Sequence, residues 1–339
     1  MDLYIFPDIA SHHNGYGVAV LDAYTRLKPK PEDVIVWYTK EKEVPFIKDN
    51  DFVISKNISV RKRIKNVLRC RPSTELSSSD LAFLKGMKFD HIHCDEILFF
   101  HALRDLFPEK YMTVRFHNVF ARILDRKRLL GLKLDAKFHL ILYLCRKSEI
   151  EIMRDNNCRK IFISKEDQSY YTSMFGKSQD SEVWAFVPTK GELAWSTFKQ
   201  KIVWFGGIDA HKKSSVDWFI KEVFFPLKKI VPKVEFHLYG AGTDFYNNEK
   251  NSIYGHGFFN GEGLPETNCL YVNPDIVGGG VKMKLMDLFR EGVPFITTPF
   301  GFEGYESNLS DQKHCYVIEP NQWVETIQAI LTKSKSIVS

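Results

Sequence analysis

Residues 278–294, GGGVKMKLMDLFREGVP, place three glycines ahead of two lysines, then run into a helical pattern that stops at Gly292-Val293-Pro294. A glycine run lets the backbone approach an anion closely, and a helix start directs unpaired N–H groups and the positive end of its dipole at the same point. The same residues also suit a tight turn that holds no ligand.

On both sides of this stretch, short β-branched or aromatic runs alternate with amphipathic segments, the pattern of parallel sheets covered by helices. The expected strands are 3–6, 34–38, 91–93, 112–116 and 160–164 in the first half, and 202–205, 234–239, 269–272, 295–298 and 315–318 in the second. Between strands of the second half, Val216, Phe219, Ile220, Val223, Phe224, Leu227 and Ile230 recur at helical spacing behind Ser214 and Ser215 as N-caps. The Pro- and Gly-bearing stretch VPTKGELAWSTFKQ, 187–200, interrupts the alternation. It divides the chain into an N-terminal domain (1–186), a linker (187–200) and a C-terminal domain (201–320), followed by a helix (321–339) that can pack back on the N-terminal domain.

The 339 residues, 44% hydrophobic, supply material for two cores. Six scattered cysteines without a Cys-x-x-Cys pair fit reduced thiols and a cytoplasmic protein. The N-terminus lacks a basic region and the length of a signal peptide, and FHLILYLC (138–145) is too short to span a bilayer, so a soluble or peripheral protein is expected. A net charge of +5 does not by itself suggest nucleic acid. Residues 59–71, SVRKRIKNVLRCR, hold six basic and no acidic residues around a stripe of Val60, Ile64, Val67 and Leu68. They fit an ordinary surface helix, a nucleic-acid contact, or a helix on an anionic membrane surface through Arg61, Lys62, Lys65 and Arg69.

Open α/β sheets bind ligands beyond the carboxyl ends of their strands. The loops there are ASHHNGYGVAV (10–20), His117-Asn118, GGIDAHKKSS (206–215), GAGTD (240–244) and the glycine run. GAGTD lacks the third glycine of a dinucleotide fingerprint, which argues against a Rossmann-type oxidoreductase.

Residues 202–242, IVWFGGIDAHKKSSVDWFIKEVFFPLKKIVPKVEFHLYGAG, and 271–304, YVNPDIVGGGVKMKLMDLFREGVPFITTPFGFEG, resemble in order and spacing the donor domain of family four of the retaining, nucleotide-sugar-dependent GT-B glycosyltransferases. The glycine loop at Gly15 to Gly17, VRFHNVF (114–120) and KIFISKEDQSYY (160–171) match that family more loosely. The resemblance implies an α/β fold of two Rossmann-like domains facing each other across a donor/acceptor cleft. It also implies a nucleotide diphosphate sugar as donor substrate, with no cofactor and no metal.

Carried over by position, the family's paired carboxylates fall on Gly279 and Asp287, so only the ribose-binding one is acidic, and it is shortened from Glu. The diphosphate-binding Arg and Lys of the first loop fall on Gly207 and Lys212, so only the lysine is present. A leaving nucleoside diphosphate gains negative charge and needs a cation. On a helix from Val281, Lys282 and Lys284 lie about 200° apart. Lys284 then shares a face with Asp287 and Glu291 as a salt-bridge partner, which favours Lys282 as the replacement cation. The implied donor contacts are Gly15, Gly17, Gly207, Gly279, Gly280, Val281, Lys284 and Asp287, with Lys212, Lys282 and His117 at the reaction centre. His117 stands where the family places a polar residue beside the donor sugar, as a contact and not a base. His12, His13, Asn14, Asn118, Asp95 and Glu96 are the acceptor-side candidates. In HIHCDE (91–96), His91 and His93 share a strand face ahead of two carboxylates, yet the segment also reads as a strand end with Asp95 and Glu96 free to meet acceptor hydroxyls.

The expected activity is hexosyl transfer to a growing, lipid-linked surface polysaccharide or oligosaccharide, by a cytoplasmic enzyme peripheral on the inner face of the cell membrane. A nucleotide-sugar epimerase on the same scaffold and a non-catalytic binding subunit are the alternatives. The second is prompted by Gly207 and Gly279.

Overall fold

The alternating pattern resolves into two parallel sheets. The computed structural model of the protein describes residues 1–7, 15–39, 51–55, 68, 76, 78–132, 136–176, 180–189, 191–195, 198–208, 210–259, 263–306 and 315–333. They divide into two units, Met1–Ala185 and Phe186–Ser339.

In the first unit the strands are β1 (Leu3–Phe6), β2 (Val34–Thr39), β3 (Asp51–Ser55), β4 (Ile92–Cys94), β5 (Met112–Phe116), β6 (Cys158–Phe162) and β7 (Ser181–Val183), in the spatial order β3-β2-β1-β4-β5-β6-β7. Leu3 pairs in register with Val34 on one side and Ile92 on the other. Every residue of β1 and β5 is buried, as expected of strands covered on both faces. In the second unit β8 (Lys201–Phe205), β9 (Glu235–Tyr239), β10 (Ile253–Gly255), β11 (Leu270–Asn273), β12 (Phe295–Thr297) and β13 (Cys315–Val317) run in the order β10-β9-β8-β11-β12-β13. The order reverses between β1 and β4 and again between β8 and β11. At such switch points the loops after adjacent strands turn to opposite faces and leave room for a ligand.

The helix after β8 begins at Ala210, so Ser214 and Ser215 lie inside it and cap nothing at its start. It runs through Trp218 into a π-helical segment, Phe219–Phe224, and ends as Phe225–Ile230. Pro226 has no N–H and its ring crowds the carbonyl four residues back, and the wider π turn just before it relieves that conflict. Phe219, Val223, Phe224 and Leu227 are all buried in the core over the sheet. The last described helix, Trp323–Lys333, adds Trp323, Ile327 and Leu331 to the same core, an i, i+4, i+8 stripe.

Residues 191–195 lie along the second unit: Gly191 and Ala194 donate backbone hydrogen bonds to Phe289 (2.8 Å) and Gly292 (2.9 Å). A Cβ on Gly292 would stand 1.7 Å from the Glu192 carbonyl oxygen, at a φ of +61°, so this approach requires glycine.

In the first unit, helix Phe120–Leu129 has no capping side chain of its own. Glu149, fully buried on helix Ala136–Arg154, accepts the N–H groups of Phe120 (2.6 Å) and Ala121 (2.9 Å) and the hydroxyl of Tyr171. Burial pushes its pKa from 4.5 up to about 8, against the pull of Tyr171 and those two amides. With the folded value above the unfolded one, this group's stabilising contribution is complete below pH 4.5 and is lost as pH rises through about 8. The loss amounts to at most about 5 kcal/mol. Unfolding midpoints in urea should therefore fall from pH 5 to pH 8.5, and Glu149→Gln should flatten that fall. Equal slopes in the two proteins would rule out Glu149 as the source.

Candidate active site

In the second unit, the carboxyl ends of β8 and β9 are joined backbone to backbone. Gly206 N–H donates to Tyr239 (2.8 Å) and Ile208 N–H to Ala241 (2.8 Å). Gly240 has a φ of +130°, and a Cβ there would stand 2.2 Å from the Gly206 carbonyl oxygen, so the two loops touch only because position 240 is bare. At Gly207 an added Cβ meets nothing nearer than 4.0 Å. The missing side chain at this position is thus no packing requirement. Lys212 is half-buried in the first turn of the following helix.

β11 ends at Asn273, and the chain passes through Pro274 and Asp275 before the glycine run. Asn273 is fully buried and donates to Thr297 Oγ1 (3.0 Å) and the Gly301 carbonyl (3.3 Å). The Asp275 carbonyl accepts from Thr298 Oγ1, and Ile276 N–H donates to Ser215 Oγ (3.2 Å). Ser215, expected as a cap, thus braces this loop from the neighbouring helix. Gly278 (φ +144°) and Gly280 (φ +59°) make the bend, and an added Cβ at Gly278 has open space around it.

The helix after the bend begins at Lys284, so Val281 and Lys282 belong to the loop. The Lys282 ammonium folds back onto the carbonyls of Gly280 (2.8 Å) and Gly279 (3.3 Å), over the Phe300 ring at 4.5 Å. Lys284 turns under the loop, 3.8 Å from the buried carboxylate of Asp275 and 4.9 Å from the centre of the Trp204 ring. Asp287 pairs with Arg290 at 3.0 Å and not with Lys284. Burial raises the Asp287 pKa, and Arg290 opposes the rise. The loop therefore holds one lysine against its own carbonyls and another against a carboxylate that sequence reasoning missed. The signal for Asp275 was its place two residues past a strand end.

In the first unit, Gly15 and Gly17 fall within the first turn of helix Gly15–Leu27. His12, His13 and Asn14 lie outside the described residues, as do Arg61, Lys62, Lys65 and Arg69. Asp95, just after β4, is buried between Arg115 Nη1 (3.2 Å) and His117 Nε2 (3.1 Å). Arg115 also holds Asp22 at 2.8 Å and the Ala19 carbonyl at 2.7 Å. Neither Asp22 nor Arg115 was among the expected site residues, although Arg115 stands two positions before His117. Glu96 is buried and accepts the Ile97 N–H (2.8 Å), while Asn118 is half-buried at the start of the loop. Asp95 and Glu96 therefore meet protein donors. Glu149 fixes the far side of the same loop through Phe120 and Ala121.

His91 and His93 stack on each other (4.2 Å), and His93 stacks on Tyr4 (4.4 Å). Burial pushes the His93 pKa down to about 3, which keeps its ring neutral. Among the described residues no group of three or more His, Cys, Asp or Glu is placed to hold a metal ion.

No family model matches the chain. A curated Klebsiella pneumoniae protein described as an uncharacterized 44.6 kDa protein in cps region is 20% identical over 302 residues, 82% of this chain and 74% of that one. Among solved structures, WaaG, described as a glycosyltransferase involved in lipopolysaccharide biosynthesis, matches with a TM-score of 0.60 at 11% identity, covering 99% of this chain and 90% of its own. The apo form of the lipopolysaccharide outer core galactosyltransferase WaaB matches at 0.54, with 12% identity over 98% and 91% of the two chains. An E. coli structure described as trehalose-6-phosphate bound with UDP-2-fluoro glucose matches at 0.53, with 12% identity over 99% and 92%. These neighbours are GT-B glycosyltransferases, and with its sheets of seven and six parallel strands this chain has the same GT-B fold of two Rossmann-like α/β domains.

Proposed function

We propose that the protein is a retaining glycosyltransferase that moves a hexosyl sugar from a nucleotide diphosphate donor onto a growing, lipid-linked surface glycan at the inner face of the cell membrane. The observation that carries this reading is the glycine bend after β11, set at a strand-order switch point with Lys282, Lys284 and Asp287 around it. The lipopolysaccharide descriptions of two neighbours and the cps-region description of the curated relative support the acceptor class.

The chemistry follows from charge. As the glycosidic bond breaks, the leaving diphosphate gains negative charge, and cations already aimed at it stabilise the transition state. Lys282 would exchange the Gly279 and Gly280 carbonyls for phosphate oxygens, while Lys212 approaches from the helix after β8. Lys284, held by Asp275, would support the bend from beneath. Asp287 would accept the ribose hydroxyls and His117, oriented by Asp95, would contact the donor sugar. The phosphate itself would take the acceptor proton on the face from which it departs, so no cofactor is required.

Three outcomes test the reading. Lys212→Ala and Lys282→Ala should each lower transfer by about one to two decades, because each forfeits a charge-assisted phosphate contact of roughly 1.5 to 3 kcal/mol. Less than a threefold change in folded protein would remove both lysines from the site. Asp287→Asn should raise the donor Michaelis constant, and unchanged donor affinity with only a lower melting temperature would leave it a partner of Arg290 alone. Gly207→Arg, which the backbone has room for, should bind nucleoside diphosphate more tightly in a thermal-shift titration. Saturation at 100 times the dissociation constant stabilises by roughly 2.7 kcal/mol. Donor binding without turnover on any acceptor would favour a binding subunit, as the glycine at position 279 suggests, and epimerisation of a UDP-sugar alone would favour an epimerase.

A further inference from the structure

The helices Phe120–Leu129 and Ala136–Arg154 pack against each other as an antiparallel hairpin. Glu149 meets Phe120 and Ala121, Asp125 meets Arg146 (3.5 Å), and Leu142 is buried with Ile123 and Leu124. The end of the first helix and the beginning of the second therefore form the hairpin's tip, and the side chains there are oddly apolar. Leu129 is 84% exposed and Leu130 42%; across the tip Leu140, Ile141 and Tyr143 are 44%, 41% and 41% exposed. On the second helix the exposed positions 136, 140, 143, 147, 151 and 154 make one outward stripe at helical spacing, with exposed Ile141 beside it. That stripe begins as Ala136, Leu140 and Tyr143 and ends as Lys147, Glu151 and Arg154, so its apolar half lies at the tip and its charged half away from it.

An amphipathic surface helix ordinarily turns such residues inward. Here the inward positions are already filled by Leu142, Leu144 and Cys145, all buried. The outward leucines are an addition to the core and not a part of it.

The surrounding charge selects the partner. Residues 125–147 carry seven Lys or Arg against two Asp, and of the seven Lys127 is buried and does not count toward the surface charge. Asp125 is already neutralised by Arg146 and Arg128, while Lys147 lies 5.7 Å over the Tyr143 ring. Exposed leucines, a tyrosine and flanking cations match an anionic lipid interface, where apolar side chains enter the acyl boundary, the phenol sits among headgroups and the cations meet lipid phosphates. No helix among the described residues is long and apolar enough to cross a membrane. We infer that the tip of this hairpin docks the protein reversibly on an anionic membrane surface, with Leu129, Leu130, Leu140 and Ile141 entering the lipid.

The inference deepens the proposed lipid-linked acceptor, yet its test uses no substrate, so loss of docking and loss of glycosyl transfer are read separately. The full-length protein is sedimented with vesicles of phosphatidylcholine containing phosphatidylglycerol. Leu129→Ser with Leu130→Ser should lower the partition coefficient at least tenfold, and Arg126→Gln with Arg128→Gln at least fivefold at low salt. Because the leucines are exposed, the melting temperature should not change. Tyr143→Trp should add an indole fluorescence component that brominated phosphatidylglycerol quenches in the folded protein. Binding by both multiple variants within twofold of the wild type would overturn the inference, as would an added indole component that stays unquenched while the protein is bound. Concentration-dependent self-association without lipid, abolished by the leucine substitutions, would overturn it in favour of a second copy of this chain.

Discussion

Parallel strands impose one constraint on everything else in this molecule: all carboxyl ends in a sheet point the same way, so the loops that follow them gather along one edge. The order reversals between β1 and β4 and between β8 and β11 then decide where along that edge space opens. In the second unit, the bare position 240 lets the loops after β8 and β9 touch, and Ser215 and Thr298 tie the loop after β11 to its neighbours. In the first unit the corresponding ties are ionic. Arg115 draws together Asp22, Asp95 and, through Asp95, His117, so three separate elements are fixed by one guanidinium.

Every strand expected from the sequence is present to within two residues of its bounds, and the three not expected, β3, β7 and β10, are all edge strands. The reason is physical. A central parallel strand is buried on both faces and shows itself as an unbroken apolar run, whereas an edge strand such as Ser181–Val183 needs only backbone pairing on one side. The helix after β8 was legible from its apolar spacing, but not its start, because Ser214 and Ser215 look like caps until the loop that Ser215 holds is seen. The glycine bend, Lys282 and Asp287 could be picked out from local pattern. Asp275, Arg115 and Glu149 could not, since each acts through a residue distant in the chain.

The buried charges share a logic. A lone buried ion is costly, so Asp95 is met by Arg115 and Asp275 by Lys284, while Glu149, kept mainly protonated at neutral pH by its burial, is held by two helix N–H groups. Lys282 differs, because its partners are the carbonyls of its own glycine bend. Neutral acceptors of this kind hold an ammonium more weakly than a phosphate does.

The π-helical segment Phe219–Phe224 has a genetic meaning as well as a packing one. It is equivalent to one residue inserted into an otherwise regular helix, tolerated because the flanking turns stay in place. Removing a single codon there would restore α-helical winding and leave both flanking turns where they are. Ser215, upstream of the wide turn, would keep the Ile276 amide, and only side chains between Phe219 and Phe224 would change the face they show the core. A length change in this helix is thus a local event, absorbed within one turn.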